Sequence, residues 1–590
     1  MKIYRKLILF VLICTTACIC SCEKYLEKTP KADLSEEKIF NNFTNFQGFV
    51  ETMYDDVVDW VHLQASYSEF NWGDDIIPSK KRGFIEGDYF FVIDNGNSPY
   101  YNNAATRASG LWSDVLVRNH AIWQNSWFGI RAANVSLAHL NDLTNATDEE
   151  RRLIEGQAYF FRGYFHWEMM RAWGNIPYAD RVYTPNEEMK IPQLGYYETA
   201  EKIMKDLQRA ADLLPTDWDN TTIGGATLGG NIGRATKGMA LAFMSECALY
   251  CASPLMNGVA KGSYTYHTDY AKRAADYAWK VIELANQGVY QLEPWTTYSD
   301  IFFKKNGTLP RSKETIFTPP QRGNARFFTS SFTGPIIGTD NWFSAPTQNY
   351  VELFETKTGL PIDDPESQYV ANDPWNNRDP RFRYNIRVDR DRQVVSRNDD
   401  LAFVQFYVGG RERTTTTSLT GFGYRKYWDE TINKYDNGWA TYYYRIPRLR
   451  LAEIYLFYAE AANEAYGPTG MSPGANLTAI DALNIVRSRA NMPGVNAKFT
   501  GSTASLRDRI WNERAVELAY ESKRWYDLRR WHVAHLLKHR ELYGLEFDKN
   551  HTYYKKTLVS TVEFSERHYW LPFPTSQVSL YSEWKQNPGW

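Results

Sequence analysis

Three groups of residues in this 590-residue chain have types and spacings that could do chemistry. The first is acidic. Glu453 and Glu460 share one predicted helix, and Glu513 and Glu517 another. Glycoside hydrolysis needs two carboxyl groups about 5–9.5 Å apart. Seven residues at helical rise put Glu453 and Glu460 about 10 Å apart, beyond that range. Glu513 and Glu517 are one turn apart but lie among Arg514, Lys523 and Arg524, where ion pairing that orders helices is the better account. The second group is His532, His535 and His539 in "WHVAHLLKH", at i, i+3 and i+7 on one predicted helical face. They could ligate a metal, but no carboxylate completes the set at ligand spacing and HExxH is absent, so they read as a partly exposed helix face.

The third group is aromatic. "SEFNWGDDIIPSKK" sets Trp72 beside Asp74 and Asp75. That is a ring for stacking on the C–H patches of a pyranose, next to carboxylates that accept hydrogen bonds from hydroxyls. "RGNARFF" and "TDNWFSAP" add Arg326, Asn341 and Trp342 as candidates of the same kind. The alternative stays open that Trp72 or Trp342 is a core aromatic anchoring its loop. Trp127, Trp167, Trp525 and Trp531 lie in helical patterns and read as core. No GxSxG, P-loop or GxGxxG pattern is present, and "GGATLGGNIG" lacks the phosphate-cradling spacing; it reads as a flexible entry to the next helix.

Composition narrows the function classes. Net charge is −2, so no electrostatic footprint for nucleic acid is visible. Aromatic residues make up 15% of the chain, with 20 Trp and 40 Tyr; many must be buried in a chain this size, and a surplus in loops is what a sugar-binding surface needs. Of six cysteines, four lie between Cys14 and Cys22. A disulfide framework is excluded, and Cys247 and Cys251, four apart in an Ala-rich helical run, read as core thiols.

The chain opens "MKIYRKLILFVLICTTACICSC". Lys2, Arg5 and Lys6 precede an apolar run shorter than the ~20 residues a bilayer span requires, which is the pattern of a secretory signal. Ser21 directly before Cys22 resembles a bacterial lipobox, with Cys22 as the lipidated residue; Cys20 could take that role instead.

The elements that must hold these groups are mostly helical. Three- and four-residue apolar spacing marks helices over 127–143, 151–174, 197–215, 234–254, 270–288, 448–467 and 479–494, and one long helix from Leu506 to Leu537. Antiparallel pairs of this kind suggest helical hairpins of tetratricopeptide type, whose repeat is about 34 residues, in degenerate form. Residues 66–112 and 289–444 have the opposite composition, rich in Gly, Pro, Asn, Asp and aromatics. Loops this long are usually functional or disordered, and their aromatic density argues against disorder.

Eight motifs in order give a resemblance: "YLEKTP" after Cys22, "GRATKGMALAFMSECALYCASPLMN", "PTQNYVELFETKTGLPI", "RDPRF", "LRLAEIYLFYAEAANEA", "LNIVRSRANMPG", "ERAVELAYESKRWYDLRRW" and the closing "KQNPGW". Together they resemble the SusD/RagB outer-membrane nutrient-binding lipoproteins of Bacteroidetes. The resemblance implies a mainly α fold, with a tetratricopeptide-like helical-hairpin scaffold and long irregular aromatic-rich loops forming the ligand-binding face. It implies a signal peptide over 1–21 and one domain over 22–590. That domain would have a helical part to about 290, a loop-rich ligand-binding part over about 291–444 and a C-terminal helical part from about 445. It further implies a non-enzymatic, surface-exposed lipoprotein of the outer membrane without a cofactor. Such a protein captures oligosaccharides for a SusC-like TonB-dependent transporter; the RagB branch is associated with peptides, which stands as the alternative. In that family the segments around Trp72 and before "PTQN" commonly supply ligand contacts.

Overall fold

The computed structural model describes residues 36–58, 73–78, 83–94, 100–101, 121–184, 187, 190–306, 308–320, 344–414, 418–427, 429–433, 435–436, 438 and 442–590. The fold is mainly α, as the sequence predicts. Helix α1 (Phe43–Asp55) leans on α2 (Ile122–Ala138) and α3 (Asp148–Trp173). From there α2, α3, α4 (Tyr196–Leu213), α5 (Lys237–Ala252) and α6 (Thr268–Asn286) each pack on the next. Their boundaries follow local chemistry. Thr147 and Glu150 form a capping box at the start of α3, three acidic residues fill its first turn, and Gly174, at φ 79°, ends it. Helix α5 is buried from Gly238 to Ala252 and apolar on every side except at Ser245 and at Glu246, which pairs with Arg448, the pattern of a helix with neighbours all round. Cys247 and Cys251 are both buried in it.

The ladder continues in space across a long interruption in sequence. Helix α6 packs against α7 (Leu451–Tyr466), which packs in turn on α8 (Ala479–Arg489) and α9 (Thr503–Glu517). Of the intervening chain, strand β2 (Thr315–Phe317) pairs antiparallel with β4 (Leu449–Arg450), immediately before α7. Arg448 N donates to Phe317 O and Leu451 N to Glu314 O, each at 2.8 Å. Residues 318–448 thus leave and re-enter the scaffold at one place, which is how so long an insertion leaves the helical stacking intact.

That insertion has a core of its own. Tyr350, Phe354, Phe382, Phe406, Phe422, Tyr424, Tyr427 and Tyr444 are buried together, joined by Tyr298 and Phe302 from before the insertion, by Ala515 and Val516 from the end of α9, and by Ala519 and Tyr520 just past that helix. Much of the aromatic surplus in 289–444 therefore fills a second core. Among the described residues every β-ladder is two-stranded, so side-chain packing rather than a sheet organises this part.

Between the two cores lies a buried ionic seam. Arg450 donates to Glu314 (2.6 Å), Glu517 (2.7 Å) and Glu521 (2.8 Å). Arg381 reaches Asp379, Glu513 and Glu517, and Arg487 joins Glu513 to Glu355. Burial raises the Glu517 carboxyl, but Arg489, Arg450 and Arg381 outweigh it and hold it well below the usual carboxylate range. This seam breaks the long C-terminal helix that the sequence predicts. Helix α9 stops at Glu517, the chain turns through Tyr520 (φ 57°) and Ser522 (φ 60°), and α10 restarts at Arg524–Arg530. The break lets Glu521 meet Arg450 and Lys426, and Lys523 meet Glu453. A continuous helix would aim those charges elsewhere.

Candidate functional site

Strand β1 (Ile76–Pro78) pairs antiparallel with β3 (Ser344–Pro346), aligning Ile76 with Pro346 and Pro78 with Ser344. Thr347 adds to this, its N–H on Asp75 O (3.0 Å) and its hydroxyl on Asp74 O (2.5 Å). The two stretches singled out in the sequence are therefore sewn together at their described ends. Trp72, Arg326, Asn341, Trp342 and Cys22 themselves lie outside the described residues.

Asp74 and Asp75 are described, and they are not placed as solvent-facing acceptors; both are only 3% exposed. Arg524 Nε and Nη2 donate to the two oxygens of Asp74 at 2.6 and 2.9 Å, and His539 Nδ1 lies 2.5 Å from Oδ2. Burial pushes the Asp74 carboxyl up, but Arg524 and His539 overcome it and hold it well below the usual range. Asp75 has no such partner: burial, reinforced by the charge of Asp74, pushes its carboxyl up to about 8. Its Oδ1 is buried without a hydrogen bond. The correction has a plain cause. A guanidinium delivered by α10 needs a buried counter-ion, and Asp74 serves it.

The other root of residues 321–343 opens onto a polar cleft that sequence reading did not find. Two joined cavities of about 530 and 420 Å³ share Ile232, Gly233, Arg234, Thr318 and Arg445. The larger is bounded by α1 (Glu51, Tyr54) and by Thr318–Pro320, directly before residue 321. Arg234 pairs with Glu51 at 2.7 Å and lies over the Trp218 ring at 5.0 Å. The glycine-rich connection lines both cavities. Rather than a loose entry, it is pinned where Asn231 Nδ2 donates to Asp219 (2.7 Å), Gly224 O (3.0 Å) and Thr227 O (3.1 Å). The cleft thus offers carboxylate acceptors and a guanidinium donor, groups that hydrogen-bond a polyhydroxylated ring, while Trp218, 2% exposed, lies buried beneath Arg234. The signal in the sequence was Trp218 and Arg234 on either side of that glycine run, which only the fold brings together.

A third cavity, about 290 Å³, is lined by Trp127, Phe128, Tyr183, Tyr581 and Trp584 among others. Trp127, read as core from its helical spacing, is half-buried and borders this cavity; Trp167, Trp525 and Trp531 are buried as expected.

The carboxylates weighed for acid–base work are engaged. Glu460 pairs with Arg530, Glu453 with Lys523, and Glu513 and Glu517 with Arg381. All four are buried. The three histidines do not share a helix face. Helix α10 ends before His532, and His539 turns away to Asp74.

Comparison with known proteins follows the same lines. A family model described as "SusD family" matches residues 263–590, and one described as "Starch-binding associating with outer membrane" matches residues 24–247. A curated relative, SusD-like protein P2 of Formosa agariphila, is 26% identical over 540 residues, covering 90% of this chain and 91% of its own. The fold is similar to that of a solved SusD-like protein from Bacteroides fragilis (22% identity, TM-score 0.69, 95% of this chain and 100% of the other). It is similar as well to a SusD-like carbohydrate binding protein from the same species (22%, TM-score 0.63, 93% and 100%). Surface glycan-binding protein A from Bacteroides uniformis is a third such neighbour (18%, TM-score 0.59, 92% and 99%). The SusD model alone spans more than half of the sequence, and the helical ladder is shared with these structures: the chain belongs to the SusD family.

Proposed function

We propose that this protein is an outer-membrane lipoprotein, anchored through Cys22, that captures an oligosaccharide at the cell surface and delivers it to a SusC-like TonB-dependent transporter. The observation that carries the reading is the polar cleft of Arg234 and Glu51, bordered by Thr318–Pro320 and lying in the part of the fold that also holds the β1–β3 pairing of Ser344–Pro346. The segment between Pro320 and Ser344 contains Arg326, Asn341 and Trp342. The printed descriptions of the matching model and of the solved relatives, starch-binding, carbohydrate binding and glycan-binding, support the ligand class. Binding without turnover fits the ion pairing of the buried glutamates, which leaves none of those four poised as an acid or base. Acylation of Cys22 with more than one chain would hold the body at a membrane while it stays in water.

The test is a binding screen of the soluble chain beginning after Cys22 against plant, host and microbial oligosaccharides, by affinity gel and calorimetry. Trp72→Ala, Trp342→Ala and Arg234→Ala run alongside. Binding to one glycan that Trp342→Ala or Trp72→Ala abolishes is the expected result. Binding to peptides and to no glycan would overturn the reading in favour of peptide capture.

A further inference from the structure

Two of the three histidines set aside as a helix face meet a carboxylate from elsewhere in the chain. His532, His535 and Glu566 each place a donor atom within 4.8 Å of the others. Glu566 opens the short turn Glu566–Tyr569, so only the tertiary fold brings it to the histidines. His532 Nε2 lies 3.5 Å from Glu566 Oε2, against about 3.3 Å between ligand atoms around a tetrahedral zinc with bonds near 2.0–2.1 Å.

The surroundings hold this group in place. The His532 ring is stacked between Tyr264 (centroids 3.9 Å apart, 15° between planes) and Tyr569 (4.5 Å, 30°). His535 Nδ1 lies 2.6 Å from the Tyr569 hydroxyl. An imidazole with one nitrogen engaged by an oxygen partner, and the other left for a cation, is the usual arrangement of a metal-bound histidine. His532 sits just past α10 at φ 58°, a left-handed position where Gly or Asn is the common choice.

We propose that His532, His535 and Glu566 form a binding site for a divalent transition cation of the zinc class. Two imidazoles and a carboxylate suit such an ion better than calcium or magnesium, which prefer oxygen ligands throughout. Three protein ligands leave a further coordination position for water or a donor atom of a bound molecule. Occupied, the site ties the end of α10 to the Glu566–Tyr569 turn and, through stacked Tyr264, to the stretch before α6.

The test uses the untagged soluble chain beginning after Cys22, stripped with a chelator and dialysed. Zn²⁺ alone is titrated by calorimetry, and Co²⁺ is followed by its visible absorption. Glu566→Gln and His535→Gln are the variants; both side chains reach solvent, so the apo thermal midpoint of each should match that of the parent chain. The expected result is one equivalent of saturable binding, with a thermal midpoint that rises with Zn²⁺ and an affinity that falls at least about tenfold in each variant. No saturable binding, or an affinity in both variants equal to that of the parent chain, overturns the proposal. Neither outcome bears on glycan capture, which is read out separately.

Discussion

Arg524 clasps Asp74 through two parallel hydrogen bonds, Nε to Oδ1 at 2.6 Å and Nη2 to Oδ2 at 2.9 Å, across 450 residues of sequence. This one pair ties the strand that leads into the candidate binding loops to α10 in the C-terminal helical part. Removing one partner strands a buried charge, which typically costs about 3–5 kcal/mol. Arg524→Ala should therefore destabilise the protein by that order, read as a lower midpoint in urea. Arg524→Met with Asp74→Leu, which removes both charges, should recover most of the loss. Recovery in the double variant separates an anchoring pair from a residue needed for its own packing.

Asp75 gives the protein an unusual pH dependence. Its folded carboxyl titrates at about 8, against about 3.9 in an unfolded chain. Between those values the folded state holds a proton that the unfolded state has released, so this group's contribution to stability falls as pH rises from about 4 to about 8. The groups acting on it are Asp74 and Arg524, and its charge is felt by the hydroxyls of Tyr350, Tyr424 and Tyr520. Asp75→Asn should raise the thermal midpoint relative to the parent chain, and the gap should widen from pH 5 to pH 8. A gap that is constant across that range would mean that Asp75 is ionised in the fold.

Close approach of α2 to α3 depends on Gly129. A Cβ there would lie 2.0 Å from the buried Phe165 ring. Gly129→Ala should cost about 1–3 kcal/mol by overpacking. Adding Phe165→Leu should be less damaging in the Gly129→Ala background than alone, a coupling that a double-mutant cycle measures.

Helix positions were legible in the sequence because apolar spacing is local: α3 is expected over 151–174 and runs Asp148–Trp173, its Thr147–Glu150 capping box lying just ahead of the periodic run. The ionic seam was half legible. The sequence places Glu513 and Glu517 among basic residues, but the partners that bury them include Arg381, Arg450 and Arg487, from distant segments. The same limit hid Glu566 from the histidines and Arg524 from Asp74. A buried charge looks like a surface charge in sequence until its partner is located. The Asp74–Asp75 pair was misread for that reason, and the polar cleft was missed because its walls come from five separated stretches, around 48–55, 216–239, 287–290, 310–320 and Arg445.

The cleft supplies the prediction that bears most directly on function. Arg234 is its one guanidinium that pairs with Glu51 while lying over Trp218. The Arg234 and Glu51 side chains are 27% and 46% exposed, and pairs in that setting contribute at most about 1 kcal/mol. Arg234→Ala should therefore leave the thermal midpoint nearly unchanged. If the cleft holds part of the glycan, the same substitution removes a charged donor to sugar hydroxyls. Hydrogen bonds to charged groups are worth about 1.5–3 kcal/mol, so affinity should fall roughly 10- to 100-fold. Calorimetry with the glycan identified by the screen reads both arms. Loss of affinity at constant stability places the ligand across the cleft and the loops it roots. Unchanged affinity in Arg234→Ala, with loss in Trp342→Ala, confines the site to the β1–β3 end, because the two substitutions test opposite roots of one segment.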